Sequence, residues 1–393
     1  MADIGVVHGP IADGGGAEAV AIQTLVALSN AGHEVTLYTT DEVEREALAD
    51  RFGTAIPAEI TISRIETLGV RAVDLASRLA TPLGVTDFPL LRQVALERFV
   101  VRRHASEHDR LVCTHGEFAV GNAIEYVHFP YFSETAMRRY GSRFDERFYP
   151  TYHRLCRWLK RRERHSEPTT ITNSRWTAEV IEETLGREAT VVYPPVEVDA
   201  FDPPAWTEME PGFVAVGRLH PLKRQHELIT IVDDVRARGF DTHLHLVGAI
   251  GSQSYYRRLE KLARTRPHVH LEGELDRGEL VELLETHRYG LHGRQFEHFG
   301  IVVAEMVASG SIPFVPASGG QQEIVDRASR LCYVDRAEAV AKITSVLASD
   351  DEQVELRQRL AGTASLYSPS QFRQTIQSIV EDSLTPPGSS RPV

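Results

Sequence analysis

The chain has 393 residues, with 43 Lys+Arg against 55 Asp+Glu, a formal charge of −12 at pH 7. That length fits two domains of ordinary size, and 42% apolar with 25% charged residues is a globular composition rather than a disordered one. The acidic balance speaks against a nucleic-acid binder, which needs excess Lys/Arg for phosphates.

Taken in chain order, the first 40 residues read as strand, glycine loop, helix, strand. Ile4-Gly5-Val6-Val7 is a short apolar run, and Asp13-Gly14-Gly15-Gly16 is a loop. Ala17 to Ala31 carries Ala21, Leu25 and Leu28 at helical spacing, Gly32 stands where a helix ends, and Val35 to Tyr38 is strand-like. A βαβ start of this kind predicts a parallel sheet. Arg110 to Cys113, Ala123 to Val127, Thr170 to Thr172 and Thr190 to Val192 supply further strands. Tyr193-Pro194-Pro195 and Asp202-Pro203-Pro204 then break the regular pattern. The cycle restarts with a strand at Phe213 to Val216, a loop from Gly217 to Lys223 and a helix from Gln225 to Arg238. His243 to Val247, His268 to Leu271, Tyr289 to His292 and Ile312 to Val315 follow as strands. The expected organisation is an α/β domain over 1–195, a proline-rich linker over 196–207, a second α/β domain over 208–365, a last helix over 366–384 and a disordered tail over 385–393.

Cys113, Cys156 and Cys332 are too few and too scattered for a disulfide framework or a Cys-rich zinc site, which favours a reducing, cytoplasmic compartment. No apolar run reaches about 18 residues, and Met1-Ala2-Asp3 does not open a secretory signal. The chain has four lysines against 39 arginines. Biased coding composition accounts for that, as does adaptation to a high-salt cytoplasm, where dense carboxylates keep a surface soluble.

Open α/β sheets bind ligands at the carboxyl ends of their strands, so the loops there are the place to look for chemistry. Gly14-Gly15-Gly16-Ala17-Glu18 opens the first helix, where free N–H groups carry about half a positive charge. The spacing is not that of a dinucleotide fingerprint, and a tight turn explains it as well as an anion site does. Arg218 and Lys223 flank the loop before the helix at Gln225. Two cations at a helix start oppose the helix dipole unless an anion sits there. Glu297 and Glu305, eight residues apart, bracket Phe299-Gly300-Ile301, and a helix from Gly300 to Ala308 puts Glu305 about 7–8 Å along its axis. That spacing suits carboxylates that hold two ends of one elongated, hydroxyl-rich ligand. His128 ends the strand at Val127 and is either an acid/base or contact residue or a packed core histidine. There is no Asp-x-Asp pair to seat a divalent metal, and His292 and His298 lack a metal-ligand spacing.

Together these motifs resemble the retaining GT-B glycosyltransferases of family 4. The matching runs are Gly14 to Glu18, Asn173-Ser174-Arg175-Trp176, Val192-Tyr193-Pro194-Pro195-Val196, Gly217-Arg218 with Lys223, and the Glu-x7-Glu run ending in Glu305. Tyr126-Val127-His128-Phe129-Pro130 and His292 with Glu297 to Ile301 look like the mannosyltransferases that extend the dolichol-linked oligosaccharide core. The chain departs from those enzymes in having no N-terminal membrane helix and in carrying Gln321 where Pro is usual. The resemblance implies two Rossmann-like domains facing each other across a cleft. It also implies retaining transfer of a hexose, mannose by family, from a nucleotide-diphosphate sugar (GDP-mannose or a UDP-sugar) to a glycan or lipid-linked glycan, with no metal or other cofactor. Arg218 and Lys223 would hold the donor diphosphate, Glu305 the ribose, and Glu297 with the amides of Phe299, Gly300 and Ile301 the hexose. Gly15 and Gly16 would pack against the diphosphate, His128 would contact the transferred sugar, and Leu275 the base. A non-catalytic relative, a sugar-nucleotide epimerase of the same fold, and a glycoside hydrolase using Glu297 and Glu305 remain as rivals.

From Arg138 to Arg164 ten Arg/Lys face three acids, with Leu155, Trp158 and Leu159 among them. This asymmetry predicts either a solvated helix or a peripheral contact with anionic lipid at the inner face of a membrane.

Overall fold

The computed structural model describes residues 1–11, 15–66, 69–73, 88–118, 122–141, 149–161 and 168–385. The chain divides into two compact units, one made of Met1–Pro195 together with the chain from Pro369 onward, the other of Val196–Ser368.

The sheet of the first unit contains β1 (Asp3–Val7), β2 (Glu34–Thr39), β3 (Thr61–Arg64), β4 (Arg110–Cys113), β5 (Ala123–Val127), β6 (Thr169–Thr172) and β7 (Thr190–Val191). They lie in the order β3-β2-β1-β4-β5-β6-β7, all parallel. The inner strands β1, β4 and β5 are buried and mostly apolar, and Ile4, Val6, Leu37, Val112 and Ile124 are core residues. The helix Gly16–Asn30 follows β1 and buries Ile22, Leu25 and Leu28.

The second sheet contains β8 (Glu210–Val216), β9 (Leu244–Val247), β10 (Val269–Gly273), β11 (His287–Leu291), β12 (Ile312–Pro316) and β13 (Cys332–Tyr333). Its order is β10-β9-β8-β11-β12-β13, again all parallel. In both sheets the first strand is central and the winding reverses beside it, at β1/β4 and at β8/β11. Such switch points open a crevice at the carboxyl ends of the two strands.

Two expectations about organisation change. Residues 196–207, read as a linker, are packed into the second unit. The Val196 N–H donates to Tyr367 O at 2.7 Å, and Phe201 lies on the cluster around Val214 and Met306. The Trp206 ring meets Tyr289 edge-on and carries the Arg288 and Arg357 guanidinium groups at 5.3 and 4.4 Å. The last helix, Pro369–Leu384, belongs to the first unit. Phe372, Ile376 and Val380 join the core cluster that includes Leu25 and Leu28, and the Gln377 side chain donates to Ala27 O at 2.7 Å. From residue 386 the expected disordered tail lies outside the described residues.

Candidate active site

The loop after β8 is shaped by close backbone contact. Gly217 has φ 145°, and a Cβ placed on Gly248 at the end of β9 would come within 2.4 Å of Gly217 O. Only glycine permits that approach. The chain then runs past exposed Arg218 into one 3-10 turn, Pro221–Lys223, and bends at Arg224, φ 53°, into the helix Gln225–Ala237. The Gln225 amide donates to Arg218 O at 2.9 Å and holds the loop against the helix start.

This bend carries Lys223 to the end of β11. Its Nζ lies 2.8 Å from Glu297 Oε2, with His292 Nε2 at 3.7 Å from the same oxygen and Arg294 at 3.5 Å from Oε1. Burial alone would raise the Glu297 carboxyl, but Lys223 and then Arg294 outweigh it and hold the group well below the usual carboxylate range. Burial, then the Lys223 charge, pushes His292 down to about 3, so its imidazole is neutral. The peptide at Glu297 is fixed from the other side. Glu297 bridges to Gly319, its carbonyl accepts from the Gly320 N–H at 2.8 Å, and a Cβ on Gly319 would meet that carbonyl at 2.3 Å. Gln321, fully buried, donates to Arg294 O and Ser318 O, both at 3.0 Å. The residue that departs from the family pattern is thus the tie that holds the Glu297 loop.

Gly300, φ 104°, caps the helix Ile301–Ala308, one residue later than expected. The Phe299 ring is core, 3% exposed and edge-on to Tyr367, so it offers a ligand only its backbone. Glu305 sits in that helix with its Oε1 2.6 Å from Arg277. Burial raises its carboxyl and Arg277 offsets only part of the shift. Leu275 is partly buried against the cluster of Val214, Val247 and Met306, in the loop between β10 and the helix Arg277–Thr286.

At the β1/β4 switch of the first unit, His8 follows β1, and Thr114 and His115 follow β4. His8 Nδ1 is 2.9 Å from Thr114 Oγ1, and the His8 and His115 rings meet edge-on at 5.1 Å. His128, at the end of β5, has Nε2 2.9 Å from Thr114 O. A carbonyl only accepts, so Nε2 carries the proton and Nδ1 keeps its lone pair. Burial lowers His128 to about 4 and His115 to about 3. Gly15, exposed, caps the first helix, and Gly16 begins it. Glu18 Oε2 accepts the Gly15 N–H at 2.7 Å while Oε1 lies 3.9 Å from His8 Nε2. Burial pushes the Glu18 carboxyl up, but His8 and the backbone N–H groups bring it to about 2. Gly14 lies outside the described residues.

The structure therefore joins Lys223 with Glu297, and Gly300 with Glu305, in the second unit, and sets Gly15, Gly16 and His128 in the first. His8, His115, Arg277 and Arg294 were missed. The strand-end rule that singled out His128 applies equally to His8 and His115. The basic segment needs correction in part. Lys160 is buried, giving hydrogen bonds to Glu97 Oε2 at 2.6 Å and Glu117 O at 2.7 Å, and Arg138, Arg139 and Arg157 pair with Glu134, Glu183 and Glu134. Leu155 and Trp158, on the helix Tyr149–Arg161, remain about half exposed. Residues 142–148 and 162–167 of that segment lie outside the described residues.

Residues 199–365 match the family of glycosyl transferases group 1. The GDP-Man:Man(3)GlcNAc(2)-PP-Dol alpha-1,2-mannosyltransferase of Dictyostelium discoideum is 25% identical over 247 residues, 56% of this chain and 49% of that protein. The Homo sapiens enzyme of the same name is 29% identical over 236 residues, 54% of this chain and 48% of its own length. The chain thus spans about half the length of the curated relatives it matches. Among solved structures, Anabaena Alr3699/HepE in complex with UDP and glucose superposes with TM-score 0.66 at 16% identity, covering 97% of this chain and all of that one. The lipopolysaccharide glycosyltransferase WaaG gives 0.65 at 14%, covering 95% and 99%. The GT-B fold expected from the sequence is the fold these structures share with it.

Proposed function

We propose, from the premise that this chain carries a glycosyl transferases group 1 domain on a GT-B fold, that it is a retaining, metal-independent hexosyltransferase. Its donor is a nucleotide-diphosphate sugar, GDP-mannose by likeness to the named mannosyltransferases, and its acceptor a glycan or lipid-linked glycan. The observation that carries this reading is the ammonium of Lys223 held 2.8 Å from the largely buried Glu297 at the β8/β11 switch.

Cleavage of the anomeric C–O bond builds positive charge on the sugar and negative charge on the departing diphosphate. Lys223, exposed Arg218 and the free N–H groups at the start of the helix Ile301–Ala308 neutralise the diphosphate, a preorganised stabilisation of the kind that dominates many enzymes. Glu297, kept ionised by Lys223 and Arg294, accepts hydrogen bonds from hexose hydroxyls. Glu305, oriented by Arg277, accepts from the ribose. Leu275 meets the base. Within the first unit, the backbone at Gly15 and Gly16 suits a phosphate, and the lone pair on His128 Nδ1 suits a sugar hydroxyl. The acceptor attacks from the face the diphosphate leaves, and a diphosphate oxygen takes the acceptor proton, which gives retention without a protein nucleophile. As a hydrolase pair Glu297 and Glu305 are poorly suited, since each is held by its own cation.

The test is turnover of a panel of nucleotide sugars with and without a lipid-linked acceptor. Acceptor-dependent release of GDP supports the reading; hydrolysis of an oligosaccharide with no nucleotide sugar present defeats it. The inner membrane face is the proposed place of work, with the exposed Leu155 and Trp158 as contact. Flotation with anionic liposomes that Leu155→Ser/Trp158→Ser leaves unchanged removes that contact.

A further inference from the structure

Four histidines meet on the second sheet, at the ends of the strands opposite the candidate active site. His243 immediately precedes β9, His245 lies within it, His270 is in β10, and His287 opens β11. Glu210, the first residue of β8, is the register partner of His287. Among the described residues, His243, His245 and His287 are the group whose ligand atoms lie close enough, within 4.8 Å of one another, to hold a metal ion.

The details go beyond proximity. His243 Nε2 and His287 Nε2 are 3.0 Å apart, and Glu210 Oε2 is 3.5 and 4.0 Å from them. Tetrahedral zinc with bonds of about 2.0–2.1 Å keeps its ligand atoms roughly 3.3–3.4 Å apart, so these separations need little change. The outer ring nitrogens already have the partners that metal-binding imidazoles use. His287 Nδ1 donates to Leu283 O at 2.8 Å, and His245 Nδ1 lies 2.7 Å from Glu272 Oε1. Each contact places the ring proton on Nδ1 and leaves Nε2 unprotonated, the usual arrangement behind a metal ligand; at His287 that nitrogen faces His243 Nε2, whose proton must move to Nδ1 when a metal binds. His270 stacks on His245 at 4.6 Å and holds that ring in place.

The backbone makes room for this cluster. β8 runs between β9 and β11, so the His243 ring must cross β8 to reach His287. It crosses at Gly212, where a Cβ would fall 2.2 Å from His243 Nε2.

We propose that His243, His245 and His287, with Glu210 as fourth ligand, form a binding site for a divalent transition-metal ion of the zinc type. The ion would join β8, β9 and β11 at their amino ends. β8 has seven residues, which places the site about 20 Å from the donor end of the sheet, so the ion has a structural role and takes no part in transfer.

Metal-stripped full-length protein titrated with Co²⁺, followed by displacement with Zn²⁺, tests this. The expected result is one tightly bound equivalent per chain with the visible spectrum of tetrahedral cobalt, quenched by zinc. His243→Gln and His287→Gln should each abolish it, and His226→Gln should leave it intact. Zinc should also raise the Tm of the wild type and not of His287→Gln. Wild-type protein that takes up no cobalt in excess metal overturns the site whatever the variants do. So does uptake that is unchanged in a folded His287→Gln; in either case the close pair is only an imidazole–imidazole hydrogen bond.

Discussion

Lys223→Met keeps the aliphatic stem of the side chain and deletes its ammonium. Glu297 then loses its nearest countercharge, at 2.8 Å, and keeps Arg294 at 3.5 Å. With an effective dielectric of about 20, the two attractions are roughly 6 and 5 kcal/mol before desolvation is subtracted. Arg294 thus retains nearly half of the combined charge stabilisation, and Glu297 stays ionised in the variant. The catalytic loss must therefore come from the missing charge at the diphosphate. On the scale of removing one preorganised donor it amounts to about 100- to 1,000-fold in kcat, or about 2.7–4 kcal/mol. Steady-state transfer with the donor nucleotide sugar and acceptor would measure it, alongside thermal unfolding to establish that the variant folds. The loss should not be recovered by raising the pH, because Glu297 is already ionised and His292 already neutral there. A folded variant with unchanged kcat refutes the role assigned to Lys223, and a loss that disappears at higher pH refutes the account of Glu297.

Other expectations concern stability. A Glu18 carboxyl held at about 2, against an ordinary 4.5, stabilises the first unit above pH 4.5 by up to about 3 kcal/mol, and that contribution fades as pH falls toward 2. Glu18→Gln should lower the wild-type unfolding midpoint near neutrality and flatten its acid dependence between those values; parallel pH profiles in denaturant melts would show the account to be wrong. Gln321→Leu strips Arg294 O and Ser318 O of their donor and should cost about 1–3 kcal/mol with a weaker KM for the donor, and unaltered melting and KM would dismiss the tie. Phe372→Ala, at a side chain 2% exposed, should cost about 3–5 kcal/mol in the first unit, which hydrogen exchange along the helix Gly16–Asn30 would register; protection there as in wild type would contradict the packing.

The regular elements were readable because parallel strands buried on both faces are apolar runs, and among the described residues ten of the thirteen strands begin within two residues of their expected starts. β8 starts three residues early, at Glu210, while β3 and β13 escaped because Thr61–Arg64 is half polar and Cys332–Tyr333 is only two residues long. Glu297 and Lys223 stood out by residue type and place, but their contact depends on a bend at Arg224 that no periodicity encodes. Charge counting misread Lys160, because a run of cations gives no sign that one of them turns inward to Glu97. The docking of Pro369–Leu384 could not be read either. Its apolar face is plain, but the helix it covers lies some 350 residues earlier in the chain.

That docking bears on how the protein is made. A ribosome emits Val196–Ser368 as one uninterrupted stretch, so the second unit has all of its strands before synthesis reaches Pro369. The first unit emerges earlier yet waits for Phe372, Ile376 and Val380 to cover Leu25 and Leu28. The order of maturation is thus the reverse of the order of translation, and the nascent amino-terminal half is the stretch for which a chaperone would matter most.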